Sequence, residues 1–124
     1  MSTVTAGKLG EDTAVKHLLK SGYKILQRNF RSKFGEIDIV AIDPSTGSGQ
    51  VTLVFVEVKT RWNKEYGYPQ EAVTPRKLRK IARTGEYFKL LNPQTPELLR
   101  IDVVAIEVEN DNVISIDHIK NASM

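Results

Sequence analysis

Asp38, Glu57 and Lys59 are ionisable side chains set into otherwise apolar segments, Gly35-Glu36-Ile37-Asp38-Ile39-Val40 and Val54-Phe55-Val56-Glu57-Val58-Lys59. Side chains alternate faces along a strand, so Asp38 shares one with Val40 and Ile42, and Glu57 and Lys59 share one with Leu53 and Phe55. Turn formers fill Pro44 to Gln50, which makes an antiparallel hairpin the expected arrangement of the two segments. Setting Asp38 opposite Glu57 also matches Val40 with Phe55, Ile42 with Leu53 and Glu36 with Lys59; a slip of one residue would mix charge with core on both faces. Directly opposed residues lie roughly 5 Å apart, and two carboxylates there repel by on the order of 3 kcal/mol at an effective dielectric of about 20. A divalent cation, Mg²⁺ or Mn²⁺, would offset that repulsion, since Mg²⁺ binds through one or two carboxylates plus waters and phosphate oxygens. Lys59 would then orient water or stabilise charge developing on a phosphate. The competing reading is an Asp38/Glu57/Lys59 ion-pair cluster at a strand end, and the pattern on adjacent strands favours a site.

Helical periodicity over about residues 6 to 21 puts Ala14, Val15, Leu18 and Leu19 on one stripe, with Glu11 on its centre line. Glu11 is therefore either a further metal ligand aimed at the Asp38/Glu57 end or a first-turn acid suited to the helix dipole. Gly7 and Gly10 would permit close backbone approach there.

These residues carry a resemblance. Glu11 on the first helix, Asp38 on one strand and Glu57-Val58-Lys59 on the next resemble the PD-(D/E)XK nuclease superfamily, in its Holliday junction resolvase-like branch. Gly10-Glu11, Arg28-Asn29-Phe30-Arg31, Gly35-Glu36-Ile37-Asp38, Phe55-Val56-Glu57-Val58-Lys59 and Arg100-Ile101-Asp102 together are similar to the YraN family of small nuclease-like bacterial proteins, over roughly residues 6 to 118. The resemblance implies an α/β, restriction-endonuclease-like mixed β-sheet flanked by helices. It implies Glu11, Asp38, Glu57 and Lys59 as catalytic residues, with Asp38, Glu57 and Glu11 holding the metal. Ile37 stands where the superfamily's signature often has proline.

The chain has 124 residues, 40% hydrophobic and 27% charged, which suits one domain over 1–124 with its core at about 6–118. There is no cysteine, so disulfide frameworks and thiolate metal sites are excluded. No transmembrane run or export signal is visible, and a cytoplasmic location is expected. The coarse reading continues with strands near 23–29, 34–43 and 51–60, a helix at 75–91 begun by Thr74 and Pro75, and strands near 99–108 and 113–118. Asn121 to Met124 are expected to fray.

Net charge is +3, but residues 59–89 hold nine Lys/Arg against three Glu, whereas 97–124 hold six acids against two bases. On the second helix Leu78, Ile81, Ala82 and Gly85 form the apolar stripe, with Arg76, Arg79, Lys80 and Arg83 opposite and Lys77 at the side, either reaching the site or solvated. With Arg61, they make a basic surface suited to nucleic-acid phosphates, against the alternative of a solvated face. Arg28, Arg31 and Lys33 would extend it. In the stretch 61–73, Trp62, Tyr66 and Tyr68 interleave with cations, either to stack on an unpaired strand or to fold onto the core. Asp102 shares a face with Arg100 and reads as a structural salt bridge, while His17 and His118 read as incidental. No phosphate-cradling glycine loop, nucleophile elbow or helical zinc motif is present.

The expected function is metal-dependent phosphodiester hydrolysis on DNA in preference to RNA, on branched or repair-type substrates, with a homodimer if both strands of a junction are cut. The alternative is a non-catalytic nucleic-acid-binding module that keeps the nuclease fold, and a weaker one is an interaction protein whose basic helix docks an acidic partner.

Overall fold

A computed structural model describes residues 3–44, 50–61 and 73–122, with the side chains of residues 3–6 excepted. The elements are α1 (Thr3–Lys20), β1 (Lys24–Ser32), β2 (Gly35–Asp43), β3 (Thr52–Arg61), α2 (Pro75–Leu91), β4 (Leu98–Glu109) and β5 (Asn112–Ile119). They form one five-stranded mixed sheet in the order β1-β2-β3-β4-β5, with two helices, an α/β arrangement consistent with a restriction-endonuclease-like fold. Every neighbouring pair is antiparallel except β3 and β4. A parallel pair needs a crossover, which α2 supplies.

The β2–β3 register is the expected one, with Val40 opposite Phe55 and Ile42 opposite Leu53. Alternation then sorts the apolar residues onto two faces. Ile39, Ala41, Val54, Val56, Val104 and Ile106 pack with Ala14 and Leu18 of α1. Val40, Leu53, Phe55 and Ile101 pack with Ile81 and Phe88 of α2. Central β3 is buried over six consecutive residues, as a strand covered on both faces must be.

Two glycines set the helices close to β3. A Cβ on Gly85 would meet the ring of Phe55 at 2.5 Å, and one on Gly10 would collide with Thr60. Both helices depart from their expected stripes: on α1 Ala14 and Leu18 are fully buried but Leu19 is 54% exposed, and on α2 Thr84 is fully buried while Leu78 and Ala82 are only partly so. The contact line on α1 therefore follows Gly10, Ala14 and Leu18 at four-residue spacing, and Leu19 falls off its edge. The start of α1 at Thr3 and the end of β1 at Ser32 each lie three residues beyond the expected bounds. Asn121 and Ala122 are not frayed, because their backbone N–H groups donate to Asp102 and to the carbonyl of Ile101. Among the described residues no helix is long and apolar enough to cross a membrane.

Candidate active site

β2 and β3 bring Asp38 and Glu57 to the α2 side of the sheet, just beyond the last regular pair of the two strands, Ile39 with Val56. Released from the ladder, the backbone N–H of Val58 donates to Asp38 Oδ2 at 2.8 Å. The two carboxylates line a cleft of about 220 Å³ with Gly35, Glu36, Lys77, Lys80 and Ile81. Burial, and next the charge of Glu57, push the Asp38 carboxyl up to about 7, against the pull of the Val58 N–H; Glu11 and Glu36 add smaller repulsions. The repulsive carboxylate pair expected from the strand register is thus present.

Lys77 enters this cleft from α2. Thr74 caps the helix by accepting the Lys77 N–H at 3.2 Å, and Pro75 opens the first turn. That start point fixes the rotation of α2, so that Ile81, Gly85 and Phe88 face the sheet. Lys77 lies one turn before Ile81 on the same side, and its Nζ meets Glu57 Oε1 at 2.8 Å. Of the two positions expected for Lys77, the structure shows the inward one, in the cleft against Glu57. Arg76, Arg79, Lys80 and Arg83 are exposed. They do not share one outlook: Lys80 rims the carboxylate cleft, whereas Arg79 lines a separate groove with Phe55, Leu78, Leu99 and Ile101.

Glu11 is held elsewhere. Its Oε1 accepts from Asn29 Nδ2 at 3.1 Å and pairs with Arg28 at 3.5 Å, while Arg28 also pairs with Asp12 at 2.8 Å. Asn29 adopts φ 54°, a left-handed conformation that asparagine tolerates, so that Arg28 and Asn29 both reach α1. Among the described residues no three acids or histidines converge at metal-ligating distance, so Glu11 does not complete a three-carboxylate set with Asp38 and Glu57. Lys59 is half-buried on β3 and, among the described residues, forms no ion pair. Arg61 ends β3 only 6% exposed, so it does not stand on open surface beside the α2 cations. The aromatic stretch 62–72 lies outside the described residues. Arg31 pairs with Glu36 at 3.2 Å, and with Arg28 also paired, β1 contributes fewer free cations than its sequence suggested.

A second polar cluster lies on the α1 face. Asp102, fully buried, accepts from Arg100 Nε at 2.8 Å, Tyr23 Oη at 3.1 Å and the Asn121 N–H at 3.1 Å, and contacts His118 Nε2 at 2.8 Å. Arg100 also reaches the buried Asp43 at 2.8 Å. Burial alone would raise the Asp102 carboxyl, but its bonds to His118, Arg100 and Asn121 hold it well below the usual range. The expected Asp102 salt bridge is therefore present. The histidines are not incidental: His17 Nε2 lies 3.0 Å from His118 Nδ1, which continues the chain from Asp102 out to α1. Their sequence separation hid this. His118 sits opposite Val104, on the face that Asp102 shares, and that is legible only once the β4–β5 register is known.

The matches to known proteins span this same framework. The family described as "Uncharacterised protein family UPF0102" matches residues 10–106, from the Gly10 contact on Thr60 to Ile106 of β4. A UPF0102 protein of Persephonella marina is 45% identical over 116 residues, covering 94% of this chain and 90% of the relative. One from Pelobacter propionicus is 47% identical over 116 residues, 94% of this chain and 80% of the relative. One from Mycobacterium avium is 38% identical over 120 residues, 97% of this chain and 91% of the relative. On these matches the chain belongs to the UPF0102 family, the YraN family that the sequence motifs resembled.

Proposed function

We propose that the protein is a divalent-metal-dependent phosphodiesterase acting on DNA. The observation that carries this reading is the Asp38–Glu57 pair in one cleft, with the Asp38 carboxyl raised to about 7 by burial and by its neighbour. A carboxyl raised by burial and by a second carboxylate in the same cleft marks a functional-site candidate. The donors suit a hard cation such as Mg²⁺ or Mn²⁺, which takes one or two carboxylates and completes its shell with waters and phosphate oxygens. When bound, that ion supplies Lewis-acid polarisation of a phosphoryl oxygen and acidifies water.

The chain's own residues supply the rest. Asp38 and Glu57 hold the cation, and the Val58 N–H fixes the Asp38 carboxylate in place. Lys59, on the face it shares with Glu57, neutralises charge that develops on the phosphate. Glu11 supports from a distance, by orienting Arg28 and Asn29 at the sheet edge and by adding to the negative field at Asp38. Lys80 at the rim and Arg76, Arg79 and Arg83 along α2 contact backbone phosphates on either side.

The Lys77–Glu57 ion pair favours a second reading, a nucleic-acid-binding module that does not cleave, because it already gives one carboxylate a cationic partner. One assay separates the two. Linear, flapped and four-way DNA are incubated with Mg²⁺ or Mn²⁺, with Asp38→Asn as the control. Metal-dependent cleavage that Asp38→Asn abolishes supports hydrolysis; tight binding without cleavage in either metal leaves the module.

A further inference from the structure

The ion pair between Lys77 and Glu57 joins unlike partners. Glu57 has a side chain only 11% exposed, whereas that of Lys77 is 37% exposed, so a nearly buried anion is matched by a cation with an open path to solvent. Lys77 Nζ sits 2.8 Å from Glu57 Oε1, and Lys80 lies on the same rim. A divalent ion on Glu57 would repel the Lys77 ammonium, two charges against one, about as strongly as that single carboxylate attracts it, so the ion weakens the lysine's hold on the cleft. The helix cannot move aside, since Ile81, Gly85 and Phe88 anchor it on the sheet, but the four-carbon stem of lysine swings without it. On the rim it shares with Lys80, a displaced ammonium would be placed to meet a phosphate oxygen of a bound nucleic-acid backbone.

We propose that Lys77 is a resident counter-ion of Glu57 that yields to a divalent metal and then turns to a substrate phosphate, so that metal and nucleic-acid backbone bind cooperatively. The inference rests on the reading of Asp38 and Glu57 as a metal-holding pair. In the free protein Lys77 competes with the metal; in the ternary complex it serves as a positioning residue on the substrate. Such coupling is reciprocal, so each ligand tightens the other by the same factor.

The test uses the whole chain. Mn²⁺ is titrated calorimetrically into the wild type, Lys77→Met, Lys77→Gln and Glu57→Gln, and affinity for a phosphorothioate DNA duplex is measured across salt concentrations with and without Mn²⁺. Without DNA, Lys77→Met and Lys77→Gln are expected to bind Mn²⁺ about fivefold or more tightly than the wild type. In the wild type, Mn²⁺ is expected to steepen the slope of log affinity against log salt by about 0.9, one further phosphate contact, and the Lys77 variants lack that increment. Mn²⁺ affinity in the Lys77 variants at or below the wild-type value overturns the proposal, as does an equal increment in all. Glu57→Gln keeps the two readings apart: binding of Mn²⁺ by the wild type but not by Glu57→Gln upholds the carboxylate site whatever Lys77 does. A wild type that does not bind Mn²⁺ ends both.

Discussion

The backbone N–H of Val58 donates to Oδ2 of Asp38 at 2.8 Å, just past the last regular pair of β2 and β3. The bond favours the ionised carboxylate, yet burial and the charge of Glu57 outweigh it and raise the group from 3.8 to about 7. Between those values the folded protein keeps a proton that the unfolded chain has lost. The stability contributed by Asp38 is therefore fully present below pH about 4 and is lost as pH rises through 7. Asp38→Asn, which keeps an acceptor for Val58, is expected to be more stable than the wild type at pH 8, by on the order of 2 kcal/mol once partial exposure is discounted. Urea unfolding at pH 5 and pH 8 measures this; a variant with the wild-type difference between the two would show that another group titrates.

At the Arg100 cluster, cost follows burial. Arg100→Met leaves Asp43 and Asp102, both fully buried, short of the cation they share, and is expected to cost about 3 to 5 kcal/mol. His17→Gln touches only the outer contact to His118 and is expected to cost about 1 kcal/mol. Denaturant midpoints rank the two, and equal losses would mean that the buried charges are compensated by something other than Arg100.

Gly85 lies where α2 comes closest to the sheet. Alanine there improves helix propensity by about 1 kcal/mol, but its Cβ would press on the Phe55 ring. Gly85→Ala is expected to lose about 1 to 3 kcal/mol net. Phe55→Leu added to it recovers part of that loss, which a double-mutant cycle reads directly. A Gly85→Ala protein melting above the wild type would contradict the close packing.

The exposed cations of α2 set the salt dependence of DNA binding. Replacing Arg79, Lys80 and Arg83 with Gln is expected to flatten the slope of log affinity against log salt by roughly two to three units, at about 0.9 per phosphate contact. Mn²⁺ affinity is expected to survive, since the carboxylates sit on β2 and β3. Parental affinity and slope in the triple variant would reduce this face to a solvated surface.

Lys59 separates chemistry from structure. Among the described residues it forms no ion pair, so Lys59→Ala is expected to fold normally and bind Mn²⁺ as the wild type does, while any DNA cleavage falls at least about a hundredfold. Unfolding of the variant at room temperature would show that Lys59 is part of the framework.

Much of this arrangement was legible in the chain. Alternating apolar residues fixed the β2–β3 register, because only one register keeps charge and core apart, and Thr74 with Pro75 marked the start of α2. Contacts between elements were not legible. That Lys77 reaches Glu57 depends on how α2 is rotated and how far along β3 it docks, which no local pattern states. That Arg28 and Asn29 take Glu11 depends on the left-handed turn at Asn29. Leu19 looked apolar and inward by spacing, but a helix touching a sheet along the line of Gly10, Ala14 and Leu18 buries a narrower strip than one wrapped by neighbours.

The parallel pairing of β3 with β4 shapes how the chain folds. Thr52 must find Leu98, across the whole of α2, whereas β1, β2 and β3 are sequential antiparallel neighbours of much lower contact order. The three-stranded meander is thus expected to form first, with β4 closing late at the entropic cost of a long loop. Arg100 then ties β4 to Asp43 at the end of β2 and to Tyr23 beside β1, contacts that do not exist before β4 arrives. The cluster is expected to act as a late-forming latch. Its loss is expected to leave the refolding rate nearly unchanged and to appear in the unfolding arm of a chevron plot, so that the latch sets the lifetime of the native state.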